Sequence, residues 1–305
     1  MSAIRTLLQG SIDYAGLFPP AGLDMATAVA NYARYHTGPS AWALGRFITP
    51  AGRLPEFEIE VSRLPRSSHP RPWRLGVLAG PDLAHDLGQI DNFSRRHMEA
   101  GSPALVADTV ELKAASEDGI RDALQRTPAS LQAYIEVPID RDPSTLVAAI
   151  GRAGGRAKVR TGGVSRDAFP SSGALLRFVA SCIRAAVPFK ATAGLHHPLR
   201  GDYRLTYAAD SPCGTMFGFL NLFLAVAFLR AGMIEAEVAQ LLEEGAAEAF
   251  QFDETGLSWR KHRLELPVLR DVRRDGIISF GSCSFTEPID DLEALRLLEP
   301  RAQRA

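Results

Sequence analysis

The chain has 305 residues, of which 46% are hydrophobic and 23% are charged, a composition typical of a globular protein. The formal net charge of -1 provides no basic field for nucleic acid or acidic lipid, so we expect a small-molecule partner. Three dispersed cysteines form no disulfide framework, the N-terminus lacks a signal-peptide pattern, and the longest apolar run, 216–229, is too short to span a bilayer. These features predict a cytoplasmic protein without membrane association.

Short β-like runs alternate with helical patterns along most of the chain, which indicates parallel βα units. Eight strands are predicted, at 11–16, 42–49, 73–79, 105–112, 131–138, 156–162, 187–195 and 277–284. Helices are predicted between them at 23–36, 82–98, 116–126, 143–154 and 171–186. Eight such units predict a (β/α)8 TIM barrel, and the rival doubly wound sheet is disfavoured because no GxGxxG segment follows the first strand.

The region 198–266 departs from this rhythm. It contains two helical patterns, at 215–231 and 235–250, followed by a hairpin pattern at 250–266. A single short helix would complete the barrel here, so we interpret the surplus as a helical and hairpin insertion after strand seven, within one domain covering 1–305. The aromatic helix of this region favours a core position over a self-association surface.

Charged residues fall on the inward faces of strands five to seven. Side chains alternate between the two faces of a strand, and on these strands one set is apolar. The opposite set contains Glu136, Lys158, Arg160 and Lys190, in a place that branched apolar residues normally fill. The sequence therefore predicts an unusually polar barrel interior.

Two lysines on adjacent strands indicate a particular kind of covalent chemistry. Lys158 beside a second cation, Lys190, in a poorly solvated pocket would have a lowered pKa, and a neutral amine can form a Schiff base with a carbonyl. A network built for stability would instead pair each lysine with a carboxylate. The alternation alone leaves both interpretations open.

Five segments resemble, in the same order, those of the deoxyribose-phosphate aldolase family, class I aldolases on a (β/α)8 barrel. The segments are IDYAGLFPPA, ADTVELKAASEDGIRDAL, KVRTGG, VPFKATAGLHH and FGSCSF. Their joint order and spacing carry the resemblance, which spans nearly all of the chain outside 198–266.

The resemblance implies roles for four residues. Lys158 would be the Schiff-base nucleophile, and Lys190 the cation that lowers its pKa. Asp108 would move protons together with water, and Asp13 would complete the proton relay. The implied reaction makes or breaks a carbon–carbon bond beside the carbonyl of a small aldehyde or keto substrate, without metal or organic cofactor.

The chain departs from the family pattern where substrate binding is concerned. Arg160 replaces a serine of the family, and Gly194 alone remains of its glycine-rich phosphate turn. Arg160 or His196 would suit the carboxylate of a keto acid, so phosphorylation of the substrate stays open. The expected substrate- or phosphate-binding residues are Arg160, Thr161, Gly162, Gly194, His196, Gly281 and Ser282.

Two alternatives are retained. A metal-assisted lyase or isomerase would use Glu136 and His196. A non-catalytic barrel would bind a ligand or a partner through 198–266. We interpret Cys283 as a small filler and Glu111 as a loop or rim charge. The sequence leaves self-association into a homo-oligomer open.

Overall fold

A computed structural model describes residues 2–65, 72–99 and 105–301, and within them eight parallel strands close into a barrel. The barrel strands are β1 (Ile12–Tyr14), β2 (Leu44–Pro50), β3 (Trp73–Leu78), β4 (Leu105–Lys113), β5 (Gln132–Glu136), β6 (Arg156–Arg160), β7 (Phe189–Thr192) and β13 (Ile277–Ser282). The first seven follow chain order around the wall, and β13 closes it between β7 and β1. The (β/α)8 barrel predicted from the sequence is confirmed.

Helices surround the barrel. They are α1 (Ala3–Leu8), α2 (Met25–Thr37), α3 (Leu54–Ser62), α4 (Leu83–Glu99), α5 (Glu117–Arg126), α6 (Ser144–Arg152), α7 (Ser172–Arg184), α8 (Phe219–Arg230), α9 (Glu235–Leu242), α10 (Leu266–Asp275) and α11 (Thr286–Ala294). The sequence patterns miss α1, α3 and α10. The last two are short and have a proline as their second residue. Proline fits the first helical turn, but in a sequence it is read as a turn signal. Most of the proline-rich connector noted at 63–73 lies outside the described residues.

The chain between β7 and β13 carries five short strands in addition to helices. The strands are β8 (Gly201–Arg204), β9 (Cys213–Met216), β10 (Phe250–Phe252), β11 (Gly256–Trp259) and β12 (His262–Glu265). β8 and β9 form an antiparallel hairpin. The expected hairpin at 250–266 is a three-stranded sheet, because β10 also pairs with β11.

Helix α8 is apolar on all sides because it packs against α7, α9, α10 and β13. Its Phe219 stacks on Phe280 of β13, with ring centroids 4.8 Å apart. Asn221 is fully buried, and its amide donates to the carbonyls of Leu241 and Glu244. The core position predicted for this helix is confirmed.

The predicted alternation along β6 and β7 is also observed. Ala157, Val159 and Ala191 are fully buried on the helix-facing side, while Lys158 and Lys190 are 4% and 2% exposed inside the barrel. The interior therefore contains two almost fully buried ammonium groups, whose partners decide what they can do.

Strand β7 ends three residues before the predicted boundary. Ala193 and Gly194 have φ angles of 63° and 71°, the left-handed conformation that favours glycine. A Cβ on Gly194 would lie 2.9 Å from the Cα of Gly162, so the close approach of two loops also requires glycine here. The turn directs the following His196 into the barrel mouth.

Within 2–65, 72–99 and 105–301, every helix falls short of the length and apolar character that crossing a lipid bilayer requires.

Candidate active site

A cavity of about 310 Å³ opens at the carboxyl ends of the barrel strands. Glu111, Lys158 and Lys190 line it from the strands, and the loops after β1, β6 and β7 form its walls. The β8–β9 hairpin adds residues such as Tyr207. Active sites of (β/α)8 barrels lie at this face, so the cavity is the candidate active site.

Each buried lysine contacts two carboxylates. Lys190 Nζ donates to Asp13 Oδ2 at 2.5 Å and to Glu111 Oε1 at 2.6 Å. Lys158 Nζ lies 2.7 Å from Glu111 Oε2 and 2.8 Å from Glu136 Oε2. Carboxylates and ammonium groups therefore alternate across the barrel from Asp13 to Glu136. Of the two interpretations that the sequence leaves open, pairing of each lysine with carboxylates is the arrangement observed, and Glu111 joins the two lysines.

The contacts in this network determine the protonation states of Lys190 and Glu111. Burial alone would lower the pKa of Lys190, but the charges of Asp13 and Glu111 outweigh it and raise that pKa. Burial would likewise raise the pKa of Glu111, but Lys158 and Lys190 hold it at about 2. Lys190 and Glu111 are thus a charged pair at neutral pH.

Lys158 and Lys190 differ in the geometry of their contacts with carboxylates. Both contacts of Lys190 have hydrogen-bond geometry, and its Nζ also lies 5.7 Å from the centroid of the Tyr134 ring. Among the described residues, the buried Oε2 of Glu136 has no partner with hydrogen-bond geometry, although Lys158 Nζ is at ion-pair distance. Lys158 Nζ is therefore close enough to Glu136 Oε2 for an ion pair, but the angles of that contact are not those of a hydrogen bond.

Asp108 does not occupy the place that the family resemblance implies. Its carboxylate accepts from Arg46 Nε and from Arg74 Nε, each at 2.6 Å. Asp108 lies at a register irregularity in the amino-terminal half of β4, away from the carboxyl ends that line the cavity. Glu111, three residues later, provides the carboxylate beside the lysines, so its interpretation as a rim charge is also wrong. Lys113, 77% exposed, does lie at the rim.

Asp13 is a direct partner of Lys190, a contact that the sequence does not predict. It is fully buried, and besides Lys190 it accepts from the Ser279 hydroxyl and the Arg46 backbone N–H. Its role in a proton relay stays a prediction.

The residues expected to bind substrate divide into two groups. Arg160, Gly194, His196 and Gly281 line the cavity, and Arg160 is half exposed, 3.9 Å from Glu136.

The hydroxyl of Thr161 donates to the carbonyl of Ala193 at 2.6 Å, and Thr161 is fully buried. Gly162 packs on the ring of Phe169, where a Cβ would collide. These two residues hold the ends of β6 and β7 together instead of facing a substrate.

The anion site expected before α11 already contains a carboxylate. Ser282 Oγ is 3.2 Å from His196 Nδ1, and Glu287, in the first turn of α11, places Oε2 3.4 Å from the same nitrogen. A negatively charged Glu287 would repel a phosphate at this helix terminus. Phosphate binding by Gly281 and Ser282 stays a prediction that this geometry does not favour.

Cys283 was interpreted from sequence as a filler because no histidine stood near it. In the structure its Sγ lies 3.9 Å from His196 Nδ1 and 3.4 Å from Tyr207 Oη, and it lines the cavity. Burial would lower the pKa of His196, but contacts with Cys283 and Glu287 raise it to about 9. No local sequence signal reveals this contact, since the two residues are far apart in the chain.

Glu136 and His196, the residues that a metal-assisted lyase or isomerase would use, contact different side chains. Glu136 contacts Lys158 and Arg160, while His196 contacts Ser282, Cys283 and Glu287. Among the described residues, no group of three or more histidine, cysteine, aspartate or glutamate side chains is arranged to hold a metal ion.

The fold defines a (β/α)8 barrel, and its mouth carries the ionisable side chains. No protein-family model and no curated protein matches the chain. One similar solved structure is nitroalkane oxidase from Streptomyces ansochromogenes, with 14% identity and a TM-score of 0.35 over 64% of this chain. This chain covers 61% of the oxidase chain. The aldolase resemblance therefore depends on the five quoted segments alone.

The charge network predicts a loss of stability in acid. Because the folded pKa of Glu111, about 2, lies below its ordinary value of 4.5, its stabilising contribution is complete above pH 4.5 and lost as pH falls towards 2. We expect the free energy of unfolding to fall by about 3 kcal/mol from this group over that interval. Urea unfolding between pH 5 and 2.5 measures it, and the Glu111→Gln variant should show a shallower dependence. Parallel pH curves for the two proteins would contradict the prediction.

Proposed function

We propose that this chain is an enzyme, a Schiff-base lyase of the class I aldolase type, with Lys158 as nucleophile and a small aldehyde or keto compound as substrate. The observation that carries the proposal is the position of the Lys158 amine. It lines the cavity between Glu111 and Glu136, beside a second lysine that stays charged. An amine beside a carboxylate at the carboxyl end of a barrel strand suits covalent carbonyl chemistry.

The choice of lysine supports the proposal. The chain contains only four lysines among its 34 basic residues, and two of the four lie inside the barrel. Arginine is the better residue for a buried ion pair that serves stability alone, since its planar guanidinium bonds carboxylates in pairs and stays charged. Lysine can lose its proton and attack a carbonyl carbon. Two buried lysines in an arginine-rich chain therefore favour chemistry.

The first step can be written with the residues present. Lys158 gives a proton to Glu136, whose Oε2 lies 2.8 Å away. The free amine then attacks the substrate carbonyl carbon, and the π electrons move to oxygen. Glu136 returns the proton to that oxygen. It then takes a proton from the nitrogen and passes it to the hydroxyl, which leaves as water and gives the cationic Schiff base. Lys190 stays charged and keeps Glu111 ionised while the Schiff base forms.

Cleavage needs a base for the β-hydroxyl of the bound substrate. Glu111 takes the place that the family resemblance gave to Asp108. As the electrons of the breaking carbon–carbon bond neutralise the iminium at Lys158, Glu111 loses one of its two counter-charges, and burial then raises its proton affinity. Removal of the hydroxyl proton sends the electrons of the broken carbon–carbon bond into the iminium, which releases an aldehyde. Half-exposed Arg160 at the mouth would bind a carboxylate or phosphate on the substrate.

A second candidate is a barrel that binds a carbonyl ligand without catalysis. The observation in its favour is that each of the two ammonium groups inside the barrel contacts two carboxylates, as in a network that serves stability. Trapping of a covalent adduct distinguishes the two candidates.

Borohydride reduction in the presence of pyruvate or short aldehydes tests the proposal. We expect a mass increase on the peptide that contains Lys158, because borohydride reduces an imine to a stable amine. The exposed Lys113 and Lys261 are internal controls for non-specific imine formation. The Lys158→Met variant should lose the adduct. Labelling of only the exposed lysines across the panel would contradict the Schiff-base proposal and favour the non-catalytic barrel.

A further inference from the structure

A second cluster of reactive side chains lines the same cavity. It consists of Cys283 after β13, His196 after β7, Glu287 in the first turn of α11 and Tyr207 between β8 and β9. Cys283 and His196 are 5% and 7% exposed, so both reach solvent through the cavity. The lysine mechanism uses none of these groups.

The contacts place a thiol, an imidazole and a carboxylate within reach of one another, and His196 Nδ1 also contacts the Ser282 hydroxyl at 3.2 Å. Cys283 Sγ lies 3.9 Å from Nδ1 and 4.0 Å from Nε2 of His196. Glu287 Oε2 lies 3.4 Å from Nδ1 on the same ring. When Nδ1–H points to Glu287, Nε2 is left to accept the thiol proton. This order of thiol, imidazole and carboxylate is the signature of an activated cysteine.

Among the ionisable groups around the sulfur of Cys283, His196 is the one that provides a positive charge. Tyr207 Oη lies 3.0 Å from Glu287 Oε2 and 3.4 Å from Sγ, so its one proton can be donated either to the carboxylate or to a thiolate. Burial raises the pKa of Tyr14, which also faces the thiol, to about 12, so Tyr14 stays neutral. His197 lies beyond this group, where its Nδ1 contacts Asp291 at 2.6 Å.

We propose that Cys283, His196 and Glu287 form a second nucleophilic centre that binds a small aldehyde covalently. The thiolate attacks the carbonyl carbon and forms a carbon–sulfur bond. The π electrons of the carbonyl move to oxygen, and the His196 imidazolium gives that oxygen its proton, so the product is a neutral hemithioacetal. The reaction consumes no oxidant or reductant and is reversible.

This inference shares with the proposed function the chemical class of the ligand, a carbonyl compound. It does not require Lys158, since the thiol and its base come from other strands and loops. The two proposals therefore fail separately: reduction with borohydride reports on Lys158, and alkylation reports on Cys283.

Alkylation with iodoacetamide followed by peptide mapping tests the thiol. At pH 6.5 an ordinary cysteine is about 1% thiolate, so we expect Cys283 to react about tenfold or more faster than in the His196→Gln variant. The exposed Cys213 is the control in the same molecule and should react equally in both proteins. Equal rates at Cys283 in both proteins, or labelling of Cys213 alone, would overturn the proposal.

The pH profile of the unchanged chain gives the same information if His196→Gln does not fold. At acidic pH Cys283 should be alkylated faster than the exposed Cys213, because His196 lies within reach of its proton. Coincident profiles would count against activation by His196.

Protection in the Lys158→Met background tests the ligand class. Glycolaldehyde should slow alkylation of Cys283 severalfold and leave Cys213 unaffected, because an imine at residue 158 is then impossible. Alkylation of Cys283 at an unchanged rate would remove the aldehyde from this proposal.

Discussion

Replacement of Lys158 by methionine should lower carbon–carbon lyase turnover about 10,000-fold or more, because no other group supplies the amine that forms the Schiff base. The variant should remain folded. Glu111 keeps its bonds to Lys190, and Glu136 keeps Arg160 nearby at the open mouth. The measurement is turnover of the compound that borohydride trapping identifies, with circular dichroism to confirm folding.

Lys158→Arg is the matched control for charge. Arginine retains a cation for Glu111 and Glu136 but forms no Schiff base. If turnover depends on the nucleophile, the arginine variant is as inactive as the methionine variant. Recovery of turnover in Lys158→Arg would show that Lys158 contributes only charge, and Schiff-base chemistry would be excluded.

Replacement of Lys190 by methionine should destabilise the barrel by about 3–5 kcal/mol. The substitution removes the counter-charge that Asp13 and Glu111 share, and both carboxylates are almost fully buried. Glu111 keeps Lys158, whereas Asp13 keeps the Ser279 hydroxyl and the Arg46 backbone N–H and must either stay charged at high cost or take up a proton. Urea unfolding at pH 7 measures the loss.

Lys113→Met provides the comparison for Lys190→Met. Lys113 is 77% exposed and lies 3.8 Å from Glu136, so its removal should change the free energy of unfolding by about 0.5 kcal/mol or less. A loss below about 1 kcal/mol in Lys190→Met would mean that water or rearrangement compensates Asp13 and Glu111.

The barrel could be predicted because its signal is local. Along β6 and β7 successive residues alternate between an apolar and a polar face. This pattern alone places Lys158 and Lys190 inside the barrel, without any knowledge of their partners. The sequence patterns miss the third strand of the β10–β12 sheet because that strand has no local signal. β10 is three residues long, and only its pairing with β11 shows it to be a strand.

The partners of the lysines could be predicted only in part. Glu136 follows from alternation, since it pairs in register with Lys158 on the adjacent strand. Glu111 reaches Lys190 across the barrel, 79 residues away in sequence, and that contact depends on strand tilt and on the irregularity at Asp108. The same holds for Cys283 and His196, which only the closed barrel brings together.

The alternating line of charges also constrains how related sequences can diverge. Its members are Asp13, Lys190, Glu111, Lys158 and Glu136. A single substitution in this line removes a partner from an oppositely charged neighbour in the barrel interior. We therefore expect neighbouring positions to be substituted together. A relative that replaces Asp13 by an apolar residue should also replace Lys190, and such covariation would trace the network in an alignment without any structure.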